Sequence, residues 1–235
     1  MAHPRESRRP DREVRIRAVS RTLKRTYRSP RLHNKRDPLN ELVFIVLSAK
    51  TAERRYLRTY AELRRSFPGW WSILRSRRGA VAKVIAAGGL AIKKENQLRG
   101  LLTSLETALE GRNLSGLRTR STSELESFLV RLPGVGLKSA RCVLMYSLDR
   151  AVFPVDTHCR RVLGRVGVIE PKRLTDSVQN EIQAIVPPRI RYDLHVNLVA
   201  HGRAVCHSRR PDCPSCPVSR ICDYYARSSP TRSWA

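Results

Sequence analysis

The stretch "LPGVGLKSA", Leu132 to Ala140, places two glycines within three residues and a lone lysine just behind them. Leu125, Phe128, Leu129 and Leu132 precede the glycines at helical spacing, and Ala140, Val143 and Leu144 follow them in the same rhythm. The stretch therefore reads as the turn of a helical hairpin over about residues 123 to 148. Glycine permits positive φ and lets another backbone approach where a Cβ would intrude. Amides opening the second helix, aided by its dipole, suit an anion such as a phosphate. Gly134, Val135, Gly136 and Ser139 thus read as a sequence-independent grip on a DNA backbone. From the glycines alone, an ordinary turn between two helices fits equally well.

The rest of the chain repeats the helical rhythm without convincing strand alternation or an internal repeat, which predicts an all-α protein. Asp37 and Pro38 open a helix that is apolar on every side through Leu47. Thr51 is the expected cap of the next helix, with Tyr56, Tyr60, Leu63 and Phe67 on one face. A short helix follows over Val81 to Ala87, stopped by Gly88 and Gly89, and then an amphipathic one carrying Leu98, Leu101, Leu102, Leu105 and Leu109. "GRNLSGLRTRSTS" reads as a polar loop. Ser123 with Glu126 reads as a capping box for the first hairpin helix. Asp156 stands where an N-cap belongs for the helix holding Cys159, Val162, Leu163 and Val166. Two further helices are expected over Val178 to Val186 and Arg191 to Arg203.

Charge narrows the partner. Lys and Arg number 46 against 20 Asp and Glu, a net +26, and a polyanion is the natural complement. Solubility alone asks for far less charge, and the arginine fork suits phosphate. Nucleic acid is therefore favoured over a membrane surface. The longest apolar run, "LVFIVLSA", is too short to cross a bilayer, and the arginine-rich start has no apolar signal core. Residues 1–24 read as a flexible basic arm of an intracellular protein, in the cytoplasm or nucleoid. Six cysteines without a signal peptide point to reduced thiols, metal or catalysis.

Two groups of residues carry chemistry. Lys138 has a possible partner eighteen residues on, Asp156 in "FPVDTH". A carboxylate that caps a helix is held rigidly enough to serve chemistry as well. In "CHSRRPDCPSCPVSRIC", Cys206, Cys213, Cys216 and Cys222 are separated by six, two and five residues, the pattern of one tetrathiolate metal site. Zinc and a [4Fe–4S] cluster both accept four thiolates, so the ligand set alone leaves both open. Cys142 and Cys159 read as core residues. Arg209 and Arg210 lie between the first two cysteines, either as a phosphate clamp held outward by the metal or as solvated charges.

Taken together and in order, "LPGVGLKSARCVLMYSLDRAVFPVDTH", "HGRAVC" and the C-x6-C-x2-C-x5-C spacing resemble endonuclease III and its helix-hairpin-helix DNA glycosylase relatives, over about Leu39 to Tyr225. "GLKS" and "FPVDT" are also similar to the plant 5-methylcytosine glycosylases. The resemblance implies two all-α lobes with DNA bound across the cleft. Residues 40–152 would form a six-helix barrel ending in the hairpin. Residues 25–39 with 153–225 would form an iron–sulfur domain, and 226–235 a tail. It implies a [4Fe–4S] cluster rather than zinc, Lys138 as nucleophile and Asp156 as essential carboxylate. The partner it implies is double-stranded DNA with a lesion or abasic site, bound by a monomer. Leu90 matches an apolar wedge. Lys50, in "LSAK", replaces a glutamine that helps fill the gap left by an extruded base. Ala91 and Ile92 replace the family's common tyrosine and asparagine. The expected activity is base-excision glycosylase with AP lyase, on oxidised pyrimidines. The alternatives are a mismatch or 5-methylcytosine glycosylase, a monofunctional enzyme, and a non-catalytic iron–sulfur DNA-binding protein.

Overall fold

The computed structural model describes residues 9–109, 114–170 and 174–228, and among them all regular structure is helical. The chain divides into two compact units: Asn34–Arg150, and Met1–His33 with Ala151–Ala235. Among the described residues no helix is long and apolar enough to cross a membrane.

The unit Asn34–Arg150 is built around α2 (Pro38–Ser48). Asp37 caps α2 by accepting from the Asn40 amide at 2.7 Å, and Pro38 fills its first turn, as the sequence leads one to expect. Leu42, Val43, Phe44, Val46 and Leu47 are all buried, so α2 needs cover on every side. That cover comes from α3 (Glu53–Ser66), α6 (Ala91–Ala108) and α8 (Leu137–Tyr146). The short helices α4 (Ser72–Arg75) and α5 (Ala80–Val84) connect α3 to α6, with a 3-10 turn over Ala86–Gly88. α7 (Thr122–Val130) and α8 form the hairpin, tied by the buried Arg141, whose Nε donates to Glu126 at 2.8 Å.

In the other unit, α1 (Arg9–Tyr27) and α9 (Thr157–Arg165) pack on α11 (Arg191–Ala204), joined by α10 (Asp176–Ile185) and α12 (Asp223–Ser228). Asp156 caps α9, accepting from the Cys159 amide at 2.7 Å.

Five expectations need correction. The supposed flexible arm is helical from Arg9, and Ile16, Val19 and Leu23 are fully buried in the core of their unit. An apolar stripe at i, i+3 and i+7 hides among the arginines there, and burial contributes about 1.5–3 kcal/mol per such side chain. Arg12 with Glu181, Arg15 with Asp223 and Lys24 with Asp193 add ion pairs at 2.7, 2.5 and 2.5 Å. Such partly exposed pairs are each worth about 0–1 kcal/mol, so packing dominates. The capping box is Ser121 with Glu124, two residues earlier than expected, because Glu126 is committed to Arg141. Ala52, not Thr51, precedes α3. The polar loop contains a 3-10 turn over Ser115–Thr119 that buries Leu117, while its residues 111–113 lie outside the described residues, and the expected tail is helical through Ser228.

Leu23→Ala is expected to cost about 2–5 kcal/mol, as for other core truncations. Urea unfolding measures it; an unchanged midpoint would restore the picture of a loose arm.

Candidate functional site

The two glycines of the hairpin turn do different work. Gly134 has φ +76°, and a Cβ there would meet Gln97 Nε2 at 2.2 Å. Gln97 in turn donates from Nε2 to the Gly134 carbonyl at 3.0 Å, clipping α6 to the turn. Gly136 has φ −84°, and nothing lies within 4 Å of where a Cβ would stand. α8 has no side-chain N-cap, and the amides of Gly136, Leu137 and Ser139 find no partner among the described residues. Open amides at a helix start form an anion site. Val135 departs from expectation. Its side chain is buried and its amide donates to the Leu132 carbonyl at 3.0 Å, so it shapes the turn and offers no free N–H.

Lys138 is half-buried in the first turn of α8. A charged group within its field is Glu41, on α2. Glu41 is fully buried, accepting from Asn34 Nδ2 at 2.5 Å and the Lys35 amide at 2.6 Å. Burial pushes the Glu41 carboxyl up, and its hydrogen bonds and the charges of Lys138 and Lys35 pull against that rise. Glu41 does not stand out in the sequence, because an acid in the first turn of a helix reads as a dipole partner. Asp156 belongs to the other unit, half-buried and fixed by its capping bond.

Lys50 and Leu90 share an unusual backbone. Both are exposed non-glycine residues in the left-handed region, at φ 50° and 54°. Such conformations cost about 1–2 kcal/mol for an ordinary side chain and gather at functional sites. Ile92, in the first turn of α6, is 73% exposed. Beneath these tips sits Lys94, which is buried and whose ammonium burial pushes down from the usual lysine range. Its place on the Leu98–Leu101–Leu105 face of α6 was the available signal in the sequence.

The four expected cysteines lie in the unit that includes α9 and α11. Cys206, Cys213, Cys216 and Cys222 line one pocket with Val162, Val166 and Tyr225. Burial pushes the Cys216 thiol up to about 11, and the neighbouring cysteines add to the rise. Cys213 and Cys222 are raised by the same causes. A cationic centre bound by these thiols would reverse that rise. Among the described residues, no three Cys, His, Asp or Glu side chains converge as ligands of a single ion. Arg165 donates to Cys206 Sγ at 3.1 Å and to the carbonyls of His207 and Ser208 at 2.7 and 3.1 Å. The loop bearing the exposed Arg209 and Arg210 is further closed by the Asp212 amide on the Val205 carbonyl at 3.1 Å. Cys142 and Cys159 are core residues, as expected.

No protein-family model matches the chain. Over 172 residues, 73% of the chain, it is 30% identical to an Arabidopsis thaliana protein named provisionally as a DNA glycosylase, covering 59% of that protein. Over 97 residues it is 39% identical to endonuclease III of Rickettsia conorii, covering 41% of this chain and 46% of that one. The chain thus spans about half the length of these curated relatives. Two solved endonuclease III–DNA complexes, one non-covalent and one a trapped covalent intermediate, superpose with a TM-score of 0.81 at 22% identity. They match 92% of this chain and 97% and 98% of theirs. The fold is that of endonuclease III.

The two turn glycines make a paired prediction. Gly134→Ala should lower the melting temperature, since it forces a side chain into positive φ and displaces Gln97. Gly136→Ala should leave melting unchanged yet weaken duplex binding about tenfold, the worth of one charge-assisted hydrogen bond. Equal effects of the two substitutions on melting would mean that Gly136 serves packing alone.

Proposed function

We propose that the chain is an endonuclease III-like helix-hairpin-helix DNA glycosylase, a base-excision enzyme with AP lyase activity acting on damaged bases in duplex DNA, a reading supported by its fold and by its partial likeness to DNA glycosylases. Oxidised pyrimidines are the proposed substrates. The observation that carries the reading is Lys138: a half-buried amine one residue behind open hairpin amides, within the field of a buried carboxylate.

The hairpin amides and the arginine surface bind phosphates, and the target nucleotide rotates out of the stack. With about six phosphates neutralised, log affinity falls against log salt with a slope of about −5. Neutral Lys138 Nζ attacks the sugar C1′. The C1′–N bond breaks, its electron pair leaves with the base, and the base takes up a proton. The nitrogen loses its protons as the sugar ring opens to a Schiff base. That imine acidifies the 2′ hydrogen; its loss expels the 3′ phosphate and cuts the strand. Asp156 stabilises positive charge growing at the sugar and relays protons, its geometry held by the cap on α9.

Cys206, Cys213, Cys216 and Cys222 would hold a [4Fe–4S] cluster, with zinc the lesser alternative. The cluster supplies a cross-link for the C-terminal loop, since neither hydrolysis nor elimination transfers an electron. The chain would work as an intracellular monomer. One observation favours a second reading as a mismatch or 5-methylcytosine glycosylase: the apolar Ile92 stands exposed at the wedge.

Duplexes bearing thymine glycol, dihydrouracil, uracil, mismatched thymine, methylcytosine or an abasic site, with and without borohydride, test the function. Lys138→Ala should keep lesion binding and lose the trapped complex; trapping that survives would assign another amine. Asp156→Asn keeps a capping side chain and should slow base release by about 10²-fold or more. Glu41→Gln removes the anion that favours the charged amine, so half-maximal trapping should move to lower pH. A shift to higher pH would show that Glu41 serves as the proton acceptor.

A further inference from the structure

Lys94 lies in the first turn of α6, 2% exposed, and uses all three ammonium protons. It donates to the Leu47 carbonyl at 2.8 Å, to Thr51 Oγ1 at 2.6 Å and to the Gly88 carbonyl at 3.1 Å. Thr51 Oγ1 passes its own proton to the Gly88 carbonyl at 2.9 Å or the Ala49 carbonyl at 3.0 Å. Among the described residues no carboxylate pairs with this cation, and neighbouring Glu95 is engaged with the amides of Gly79 and Ala82 and with Arg99. A buried charge without a counter-ion is expensive, so a purely packing role would be better served by an apolar side chain.

The partners explain the cation. Leu47 belongs to the last turn of α2, and Gly88 ends the 3-10 turn before α6. Both carbonyls lie at helix ends beyond the reach of an intrahelical donor, where a positive charge is favoured. A few residues after each, the chain enters the left-handed region and presents Lys50 in one case and Leu90 in the other.

We propose that Lys94 is a positioning residue that staples these two tips together and fixes the spacing at which Lys50 and Leu90 enter the duplex when a nucleotide is extruded. The staple rests on the glycosylase reading for its purpose, and on the three hydrogen bonds for its geometry. It acts on extrusion and gap filling; the hairpin's hold on phosphate and the attack by Lys138 are separate from it.

The test separates these steps. A 2-aminopurine placed opposite a tetrahydrofuran abasic analogue brightens when its neighbours unstack, and the analogue undergoes no chemistry. The full-length wild type should raise this signal. Lys94→Met, of similar length but uncharged, should lose most of it with affinity for undamaged duplex little changed. Its single-turnover release of an intact lesion base should fall about tenfold to a hundredfold, the cost of misplacement near 1 Å. Trapping at a pre-formed abasic site, which needs little extrusion, should fall less. Thr51→Val keeps two of the three ammonium bonds and should give a smaller loss of the same kind, and it decides the matter should Lys94→Met fail to fold. An unchanged fluorescence signal in both variants, or equal losses on intact and abasic substrates, overturns the staple. Wild-type fluorescence without any product would instead overturn the catalytic reading and leave the staple standing.

Discussion

The complete burial of α2 is the constraint on which the unit Asn34–Arg150 depends. A helix apolar on every side has to be covered on every side, and two of the covering elements carry residues of the proposed site. α8 brings Lys138 toward Glu41. α6 brings Lys94 beneath the α2 C-terminus, where the Leu47 carbonyl accepts from it. α2 also carries both ends of this polarity itself: an acid in its first turn and, in its last, a carbonyl that accepts from a cation. The hairpin and the two tips are therefore referenced to one rigid rod, which is how separated loops keep a common geometry.

The chain's electrostatics follow from how its few acids are spent. Glu41, Glu95, Glu126, Asp193 and Asp223 each engage an amide or a cation of the fold. Glu41 sits between Lys35 and Lys138, and Lys35 also lies over the Phe44 and Tyr60 rings at 4.6 and 4.7 Å. Carboxylates drawn into such duties do little to neutralise the exposed arginines. A chain at +26 can thus hold ion pairs internally and still present a phosphate-seeking surface.

How much was legible in the sequence divides along the same line. Local chemistry was readable: the caps at Asp37 and Asp156, the hairpin, and the all-helical class. Features decided by a partner far along the chain were not. Glu126 looked like a capping residue until Arg141 claimed it, and Thr51 until Lys94 did. The stripe Ile16, Val19 and Leu23 was masked because composition, dominated by arginine, drowned a correct helical period. Val135 escaped for a subtler reason. A glycine turn tight enough to expose some amides must close an internal hydrogen bond to hold its shape, and Val135 makes that bond.

The second unit meets a similar problem with different chemistry. A loop rich in charge and proline has little apolar surface to bury, so cross-links must order it. Arg165 supplies one from the protein side. Its guanidinium reaches a cysteine sulfur and two loop carbonyls, and it lies over the Tyr224 ring at 4.6 Å. The same α9 that Asp156 caps at its start therefore ends on the residue that braces the cysteine loop. A short rigid helix thus links the carboxylate to the loop carrying Arg209 and Arg210. Disturbing the cysteine site would then reach the carboxylate through packing, without any electron having to move.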